Sequence, residues 1–209
     1  MAYSFSHRDH TWAEYLALEA ASEERYEYHD GEIVAMAGAS NLHNRIIGNA
    51  FAPLHSITRA RGCHVFSENV KLFRYRSERY LYPHLMVTCH PLDKQTLNGV
   101  RNPLLIAEVL SKTNTHKQLA FKLREYFRLP SLRHYLLISQ DECFVQHYRR
   151  AGEGLFDLRL YDELLPLIDL PELNAQIPLA DLYADIEFGP EMSEAEEAAA
   201  LYGAGEQEG

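Results

Sequence analysis

The chain has 209 residues, of which 46% are hydrophobic, and it carries a formal net charge of −10. That length and apolar content are sufficient for one domain with a substantial core. No basic start followed by an apolar run marks a signal peptide, and no segment approaches the length needed to cross a bilayer. The composition therefore predicts a cytoplasmic protein without membrane contact.

The negative charge is concentrated at the C-terminal end of the chain. Eight of the 30 acids and no Lys or Arg follow residue 184, so 22 acids and 20 bases remain in the rest. A nearly neutral core can still present a basic groove, and contact with nucleic acid is not excluded. We expect one domain over residues 1–188, followed by a disordered, acidic, Ala/Glu-rich tail over residues 189–209.

The three cysteines, Cys63, Cys89 and Cys143, are an odd number without close pairing along the chain. Such a set is poor material for a disulfide framework. The sequence therefore predicts free thiols and a reducing compartment.

The chain opens with a helix and a hairpin. Thr11 and Glu14 form a capping-box pattern at the start of an amphipathic run over residues 12–21, which predicts a short helix. Asp30-Gly31 then separates two β-prone segments and supplies the positive φ angles of a tight turn. We expect an N-terminal helix followed by a β-hairpin.

A longer helix and several strands follow. Apolar residues at helical spacing over residues 41–61 predict a helix that Pro53 kinks or interrupts. The next strand-like segments are residues 63–67, 70–75 and 79–88. Pro83 lies inside the last of these, which indicates an edge strand, a bulge or two short strands.

The second half of the chain alternates strand, helix and strand. Residues 103–110 form an apolar run that is typical of a strand buried on both faces, and a helix is predicted over residues 116–128. Later segments predict three strands over residues 133–139, 143–149 and 156–160, then a strand end and a short helix within 177–188. This order predicts an α/β (α+β) fold with a mixed sheet flanked by helices.

Glu108 is the first candidate for a chemical role, because it interrupts the apolar run LLIAEVLS. A carboxylate there is costly to bury unless it is paired or bound to a metal. Ser111 follows at the strand end, and Lys122 on the next helix could reach back over that end. Metal-assisted phosphodiester hydrolysis uses an acid that holds Mg²⁺ and an ammonium that orients water. A purely structural Glu108–Lys122 ion pair is the alternative.

Four segments, RYEYHDGEIVAMAGAS-LHN, RYLYPHLMVTC, NPLLIAEVLS and FKLREYFRLPSLRHYLLIS, occur in a characteristic order. In this order they resemble the Uma-two family of restriction endonucleases, a branch of the PD-(D/E)XK nuclease superfamily, over roughly residues 15–149. The resemblance implies a restriction-endonuclease-like mixed sheet flanked by helices, Mg²⁺-dependent cleavage of DNA, and a lysine carried by the helix after the acidic strand.

Site residues are carried over from the resemblance one position at a time. Glu27 matches the N-terminal acid, Glu108 the strand acid and Lys122 the helical lysine, and these three are the expected catalytic residues. The matching supporting positions are Ser111, His43 and Tyr126. The family has an aspartate after the proline where this chain has His84, and often an acid where it has Gln118.

The His84 position decides which divalent metal we expect. Glu108, Glu27 and His84 are the candidate ligands; the resemblance implies Mg²⁺, whereas an imidazole nitrogen is better suited to Mn²⁺ or another transition metal. Three outcomes stay open: catalysis with a different metal, rescue by a nearby acid such as Glu32 or Glu68, or loss of catalysis.

Other patterns carry weaker hypotheses. A zinc site of His84, Cys89 and His90 is disfavoured, because strand alternation turns Cys89 and His90 to opposite faces. Basic residues are interleaved with aromatic ones, and these could follow a phosphate backbone or form a half-solvated ribbon. They are Arg45, Arg59, Arg61, Lys71, Arg74, Arg76, Arg79, Phe73, Tyr75 and Tyr80.

Two functions are carried forward. The first is a metal-dependent DNA endonuclease, with a homodimer suited to cutting a duplex. The second is a catalytically inactive nuclease fold that binds nucleic acid or a protein partner. No phosphate-binding glycine loop is present in the sequence, so a nucleotide cofactor is not expected.

Overall fold

The computed structural model describes residues 9–29, 31–36, 38–73, 79–96, 99–111 and 114–189. Helix α1, Trp12–Ala21, begins where the capping box predicted. The Thr11 side chain accepts a hydrogen bond from the Glu14 N–H, and the Glu14 carboxylate accepts one from the Thr11 N–H at 2.8 Å. These two reciprocal bonds satisfy donors that the first turn of a helix leaves free.

The predicted hairpin forms the start of a small antiparallel sheet. Strands β1, Tyr26–His29, and β2, Glu32–Ala35, pair antiparallel, with Gly31 at a φ of 98° in the turn; Asp30 lies outside the described residues. Further along the chain, β4, Leu72–Phe73, and β5, Arg79–Leu81, join them in the order β2-β1-β5-β4. Aromatic rings of α1 and this sheet pack together, with Trp12 stacked 4.4 Å from Tyr80.

Helix α2, Asn41–Arg59, is continuous through Pro53, so of the two predicted effects, a kink or an interruption, the interruption is wrong. A proline removes only one backbone donor, whereas the helix buries a full stripe that includes Ile46, Ala50 and Leu54. Packing of this stripe against the large sheet outweighs the missing hydrogen bond.

The large sheet has six strands. They are β3 His64–Ser67, β6 Leu85–Thr88, β7 Leu105–Leu110, β8 His134–Ser139, β9 Val145–Gly152 and β10 Leu155–Tyr161. Their order is β10-β9-β8-β7-β6-β3, with β7 and β8 parallel and the other pairs antiparallel. Helix α3, His116–Phe127, connects β7 to β8. The predicted mixed sheet flanked by helices is confirmed.

Strand alternation sorts β7 between two layers. Ala107 and Val109 pack with α2 in one cluster, whereas Ile106 packs with the α3 layer on the other face. Glu108 shares that second face, because it lies two residues from Ile106 along the strand. The fold thus turns the candidate carboxylate toward the helix that carries Lys122.

The chain closes beside α2 with β11, Leu167–Leu170, β12, Ala175–Pro178, and the short helix α4, Leu179–Leu182. The predicted strand end and helix correspond to β12 and α4, whereas β11 was not predicted. Residues 190–209, nearly all of the predicted tail, lie outside the described residues. In the described part of the chain, no helix combines the length and apolarity needed to cross a membrane.

Cys63 and Cys89 form a disulfide, so the prediction of free thiols is wrong for these two residues. His64 and Thr88 are opposite each other in the β3–β6 ladder, which makes the two cysteines the next facing pair. The two cysteines are 26 residues apart in sequence, and only the register of the two strands brings them together. Their proximity could therefore not be predicted from local sequence. The disulfide removes the premise for a reducing compartment, and Cys143 is the free cysteine in the described residues.

Candidate active site

Glu108 is buried on β7 beneath α3, with 3% of its side chain exposed. The Lys122 Nζ donates a hydrogen bond to Glu108 Oε1 at 3.0 Å, and the Tyr126 hydroxyl donates to the same oxygen at 2.6 Å. Lys122 and Tyr126 are four residues apart and therefore lie on one face of α3. Helix α3 thus places two hydrogen-bond donors, Lys122 and Tyr126, against the buried carboxylate of Glu108.

Glu27 reaches the same lysine from the small sheet. Its Oε1 accepts the Tyr82 backbone N–H at 3.1 Å and lies 3.4 Å from Lys122 Nζ, while its Oε2 lies 3.1 Å from His29 Nε2. The Lys122 ammonium thus bridges Glu27 and Glu108, one carboxylate from each sheet.

His84 precedes β6 and faces Glu108. Its Nδ1 accepts a hydrogen bond from the Val109 N–H at 2.9 Å and lies 3.3 Å from Glu108 Oε2. A neutral imidazole that accepts at Nδ1 carries its proton on Nε2. In this arrangement neither ring nitrogen of His84 presents a free lone pair to a metal.

His43, in the first turn of α2, packs edge-to-face on His84 with ring centroids 4.4 Å apart. Its Nε2 lies 3.0 Å from Glu68 Oε1, and the Glu68 N–H donates to the His84 carbonyl. Glu68 and Asn69 have φ angles of 47° and 54°, in the left-handed region that non-glycine residues seldom adopt. Strained backbone of this kind is concentrated at functional sites.

The two carboxyl groups of the bridge have opposite pKa shifts. Burial opposes ionisation of Glu27, but Lys122, His29 and the Tyr82 N–H outweigh it and lower the Glu27 pKa to about 2. Burial raises the pKa of Glu108, and the stabilising contacts with Lys122 and Tyr126 do not fully offset it. Glu27 is therefore the firmly ionised member of the pair.

The two basic groups follow the same physical logic. Burial lowers the pKa of His84 to about 3, and the nearby Lys122 and His43 add to this effect. The pKa of Lys122 is raised, because Glu108 and Glu27 outweigh the cost of burying the ammonium. The site therefore contains a neutral imidazole and a charged lysine.

A cleft of about 470 Å³ opens onto these groups. The alternative of a purely structural Glu108–Lys122 ion pair is supported only in part. The two head groups are in contact, but they lie at the base of an open cleft and are therefore not sealed in the interior. Other polar residues of its lining are Glu32, Glu68, Ser111, Asn114, Lys117, Gln118 and Arg124.

Two carried-over positions serve local structure. Gln118 accepts from the Thr115 N–H at 3.0 Å and so completes the capping box of α3. The Ser111 N–H donates to Asn114 Oδ1 at 2.7 Å in the turn after β7. Both residues still line the cleft.

Two of the basic residues singled out in the sequence are paired with acids. Lys71 forms an ion pair with Glu19, and Arg79 contacts Glu125 at 2.6 Å, so both cations are engaged by acids. Arg74, Tyr75 and Arg76 lie outside the described residues.

The donor set fits a hard divalent cation through its two carboxylates. Mg²⁺ retains several waters and is commonly held by one or two carboxylates together with substrate phosphate. Within the described ranges, no group of three His, Cys, Asp or Glu side chains is arranged to hold a metal. Cys89 is in any case bonded to Cys63, so it is not a zinc ligand.

His29 is a site residue that the sequence reasoning missed. It follows Glu27 by two positions on β1, so strand alternation turns both side chains to one face. Its ring also lies 4.2 Å from that of Phe121, on the cleft side of α3. The two-residue spacing could have identified it.

Comparison with known proteins finds a matching family model and two relatives of this chain. A family model described as "Uma2: Putative restriction endonuclease" matches residues 12–180. Two Synechocystis proteins, the uncharacterized proteins sll1609 and slr1290, are 38% and 30% identical to the chain. Each match covers 68% of this chain, and 82% and 74% of the respective relatives.

A solved structure shares the fold. The crystal structure of a putative nuclease belonging to DUF820 from Anabaena variabilis aligns with a TM-score of 0.64 and 18% identity, covering 78% of this chain and 92% of that one. At this identity the likeness establishes the shared fold alone.

Proposed function

Because the chain belongs to the Uma2 restriction-endonuclease family, we propose that it is a metal-dependent endonuclease that hydrolyses DNA phosphodiester bonds. The observation that carries the proposal is the Glu27–Lys122–Glu108 bridge at the base of an open cleft. Two acids and a lysine, converging from two sheets and a helix, match the groups that such hydrolysis uses.

The proposed roles follow from the contacts of each side chain. Glu27 and Glu108 would hold the divalent cation, which supplies Lewis-acid stabilisation of the phosphate and an activated water when bound. Lys122 orients the attacking water and stabilises negative charge on the phosphate oxygens. Tyr126 keeps one Glu108 oxygen in place through its 2.6 Å hydrogen bond.

His84 has a different role in this proposal from that of the aspartate it replaces. Its Nδ1 accepts a hydrogen bond from the Val109 N–H, so the two carboxylates would hold the cation without the imidazole. The Nε2–H of this tautomer can donate a hydrogen bond to a phosphate oxygen. Mg²⁺ is then the favoured metal, because only hard oxygen ligands remain.

The cleft rim favours contact with a nucleic acid backbone. Lys117 and Arg124 line the cleft from α3, and the Arg124 guanidinium lies 5.6 Å from the Phe121 ring. Such cations can contact backbone phosphates, and the neighbouring aromatic ring can stack on bases or sugars.

The test is cleavage of plasmid DNA by the purified chain with Mg²⁺, Mn²⁺ or Co²⁺. Glu108→Gln and Lys122→Met should each reduce the rate by at least about 100-fold, because each removes a group that acts on the reacting phosphate. Glu19→Gln and Lys71→Met are matched controls, since they disrupt a similar acid–lysine pair outside the cleft lining. Absence of cleavage with all three metals would refute the proposal.

A second candidate is a catalytically inactive nuclease fold that binds nucleic acid. The specific observation in its favour is that the Lys122 ammonium already contacts both carboxylates, while the raised pKa of Glu108 opposes ionisation of that acid. This candidate predicts salt-dependent DNA binding without cleavage, and the binding would persist in Glu108→Gln.

A further inference from the structure

Strand β10 forms one edge of the large sheet. Its described neighbour is β9, and within the described ranges no strand pairs with its other side. An edge strand presents a row of backbone N–H and C=O groups that can template pairing with another strand. Natural edges are commonly protected by charged side chains, especially lysine, or by proline; β10 has one aspartate and one arginine but no lysine or proline.

The same strand exposes leucines. Leu155, Leu158 and Leu160 are 66%, 49% and 58% exposed, although aliphatic residues on a monomer surface are usually scattered. Leu164, Leu165 and Leu167, which follow the strand in sequence, are exposed as well. Most of the large apolar side chains exposed in the described residues therefore belong to residues 155–167.

The faces of β10 are sorted by alternation. Phe156 stacks on Phe127 at 3.9 Å on the α3 side of the sheet, and Leu158 and Leu160 share that face. Asp157 and Arg159 lie on the opposite face. The strand thus carries an apolar row on one side and one charge of each sign on the other.

This pattern is complementary to itself. In an antiparallel ladder, hydrogen-bonded and non-hydrogen-bonded pairs alternate, so a two-fold axis between identical strands must pass through a residue. An axis at Leu158 sets Asp157 opposite Arg159 of the second copy, and it does so twice. On the other face Leu158 meets its own copy.

Neighbouring registers are unfavourable. An axis at Asp157 would oppose two aspartates, and an axis at Arg159 would oppose two arginines. Like charges directly opposite each other destabilise a strand pair, whereas opposite charges stabilise it. Charge therefore selects Leu158 as the centre.

We propose that two copies of the chain pair antiparallel through β10, centred on Leu158, to form one continuous twelve-stranded sheet. The partner at this edge is a second copy of the chain, because a two-fold axis pairs Asp157 of each copy with Arg159 of the other. The inference does not depend on the proposed cleavage activity.

The test is sedimentation equilibrium of the full chain at micromolar concentrations. The wild-type chain should be dimeric, while Asp157→Arg and Arg159→Asp should each weaken the dimer by at least about tenfold, because each creates two like-charge pairs. Leu158→Lys, which sets two ammonium groups against each other, should have the same effect. Asp181→Arg on α4 is the matched control and should remain dimeric.

Mixing supplies the sharper result. Asp157→Arg and Arg159→Asp chains should associate with each other, because every facing pair then has opposite charges. The double variant Asp157→Arg/Arg159→Asp should also recover the homodimer. A monomeric wild-type chain, dimers that survive all β10 variants, or a mixture that does not associate would overturn the proposal.

Discussion

His84 stands at a position where a single hydrogen bond limits what the residue can do. The Val109 N–H occupies its Nδ1, and burial beside Lys122 lowers its pKa to about 3. The imidazole is therefore neutral at physiological pH and offers a donor on Nε2. We infer that this substitution removes a ligand without introducing a repelling charge.

His84→Asp tests that inference. An aspartate would add an anionic oxygen beside Glu108, and Mg²⁺ affinity should rise by at least about tenfold, since even outer-shell changes alter metal affinity by 10–100-fold. The measurement is the Mg²⁺ concentration dependence of cleavage, or calorimetric titration if cleavage is absent. His84→Asn is the uncharged control; equal Mg²⁺ affinities in both variants would contradict the inference.

A second buried histidine lies away from the cleft. His147 on β9 is 2% exposed, and its Nε2 lies 2.9 Å from His134 Nδ1, while His134 Nε2 lies 2.7 Å from Glu172. Burial, with His134 and Arg149 nearby, lowers the His147 pKa from 6.5 to about 4. The folded state thus binds this proton less readily than the unfolded state.

The sign of the pH effect follows from that shift. Stability from neutral His147 is fully present above pH 6.5 and is lost as the pH falls toward 4. We expect the free energy of unfolding to decrease by about 2 kcal/mol from His147 between pH 7.5 and 5. Urea denaturation should show a shallower decrease in His147→Gln, and parallel pH profiles would contradict the assignment.

At the scale of elements, the β3–β6 pair carries the disulfide. The bond closes a loop with a sequence separation of 26 residues. Cross-links of this loop length stabilise a protein by about 2–4 kcal/mol, largely by restricting the unfolded chain. Reduction, or Cys63→Ser with Cys89→Ser, should lower the melting temperature.

Cys143→Ser provides the comparison, because it removes a cysteine outside the disulfide and should leave the melting temperature nearly unchanged. A non-reducing peptide map should join the peptides that contain Cys63 and Cys89. Three titratable thiols in the unreduced, denatured chain would contradict the pairing.

Elements with local signals were predictable from sequence. The capping box fixed the start of α1, Gly31 marked the hairpin, and the apolar run around Glu108 identified β7. The β5–β6 segment was predicted as an edge strand, a bulge or two short strands; its two strands join different sheets around Pro83. Strand β11 was missed because its partner β12 lies later in the chain, and pairing rather than local pattern defines it.

The candidate site was predictable to a similar degree. Glu108 stood out as a charge inside an apolar strand, and the four-residue spacing of Lys122 and Tyr126 places both above it. Recognising Glu27 required the family resemblance, because nothing local indicates that β1 approaches α3. The His84–Val109 bond and the Cys63–Cys89 disulfide depend on tertiary register, which local patterns do not encode.

At the scale of the whole molecule, the site is assembled from segments that are far apart in sequence. Glu27 belongs to the small sheet, His84 precedes β6, Glu108 lies in the large sheet, and Lys122 lies on the crossover helix. The cleft is therefore a product of docking between the two sheets, and no fragment of either sheet alone contains the charge bridge.

The Lys122 bridge has a mechanical consequence as well as a chemical one. Its ammonium contacts a carboxylate from each sheet, so it links the small sheet to the large sheet across the cleft. A cation or a substrate phosphate that draws Lys122 away from either carboxylate would loosen that link at the moment of occupancy. We therefore expect ligand binding to be coupled to relative movement of the two sheets through Lys122.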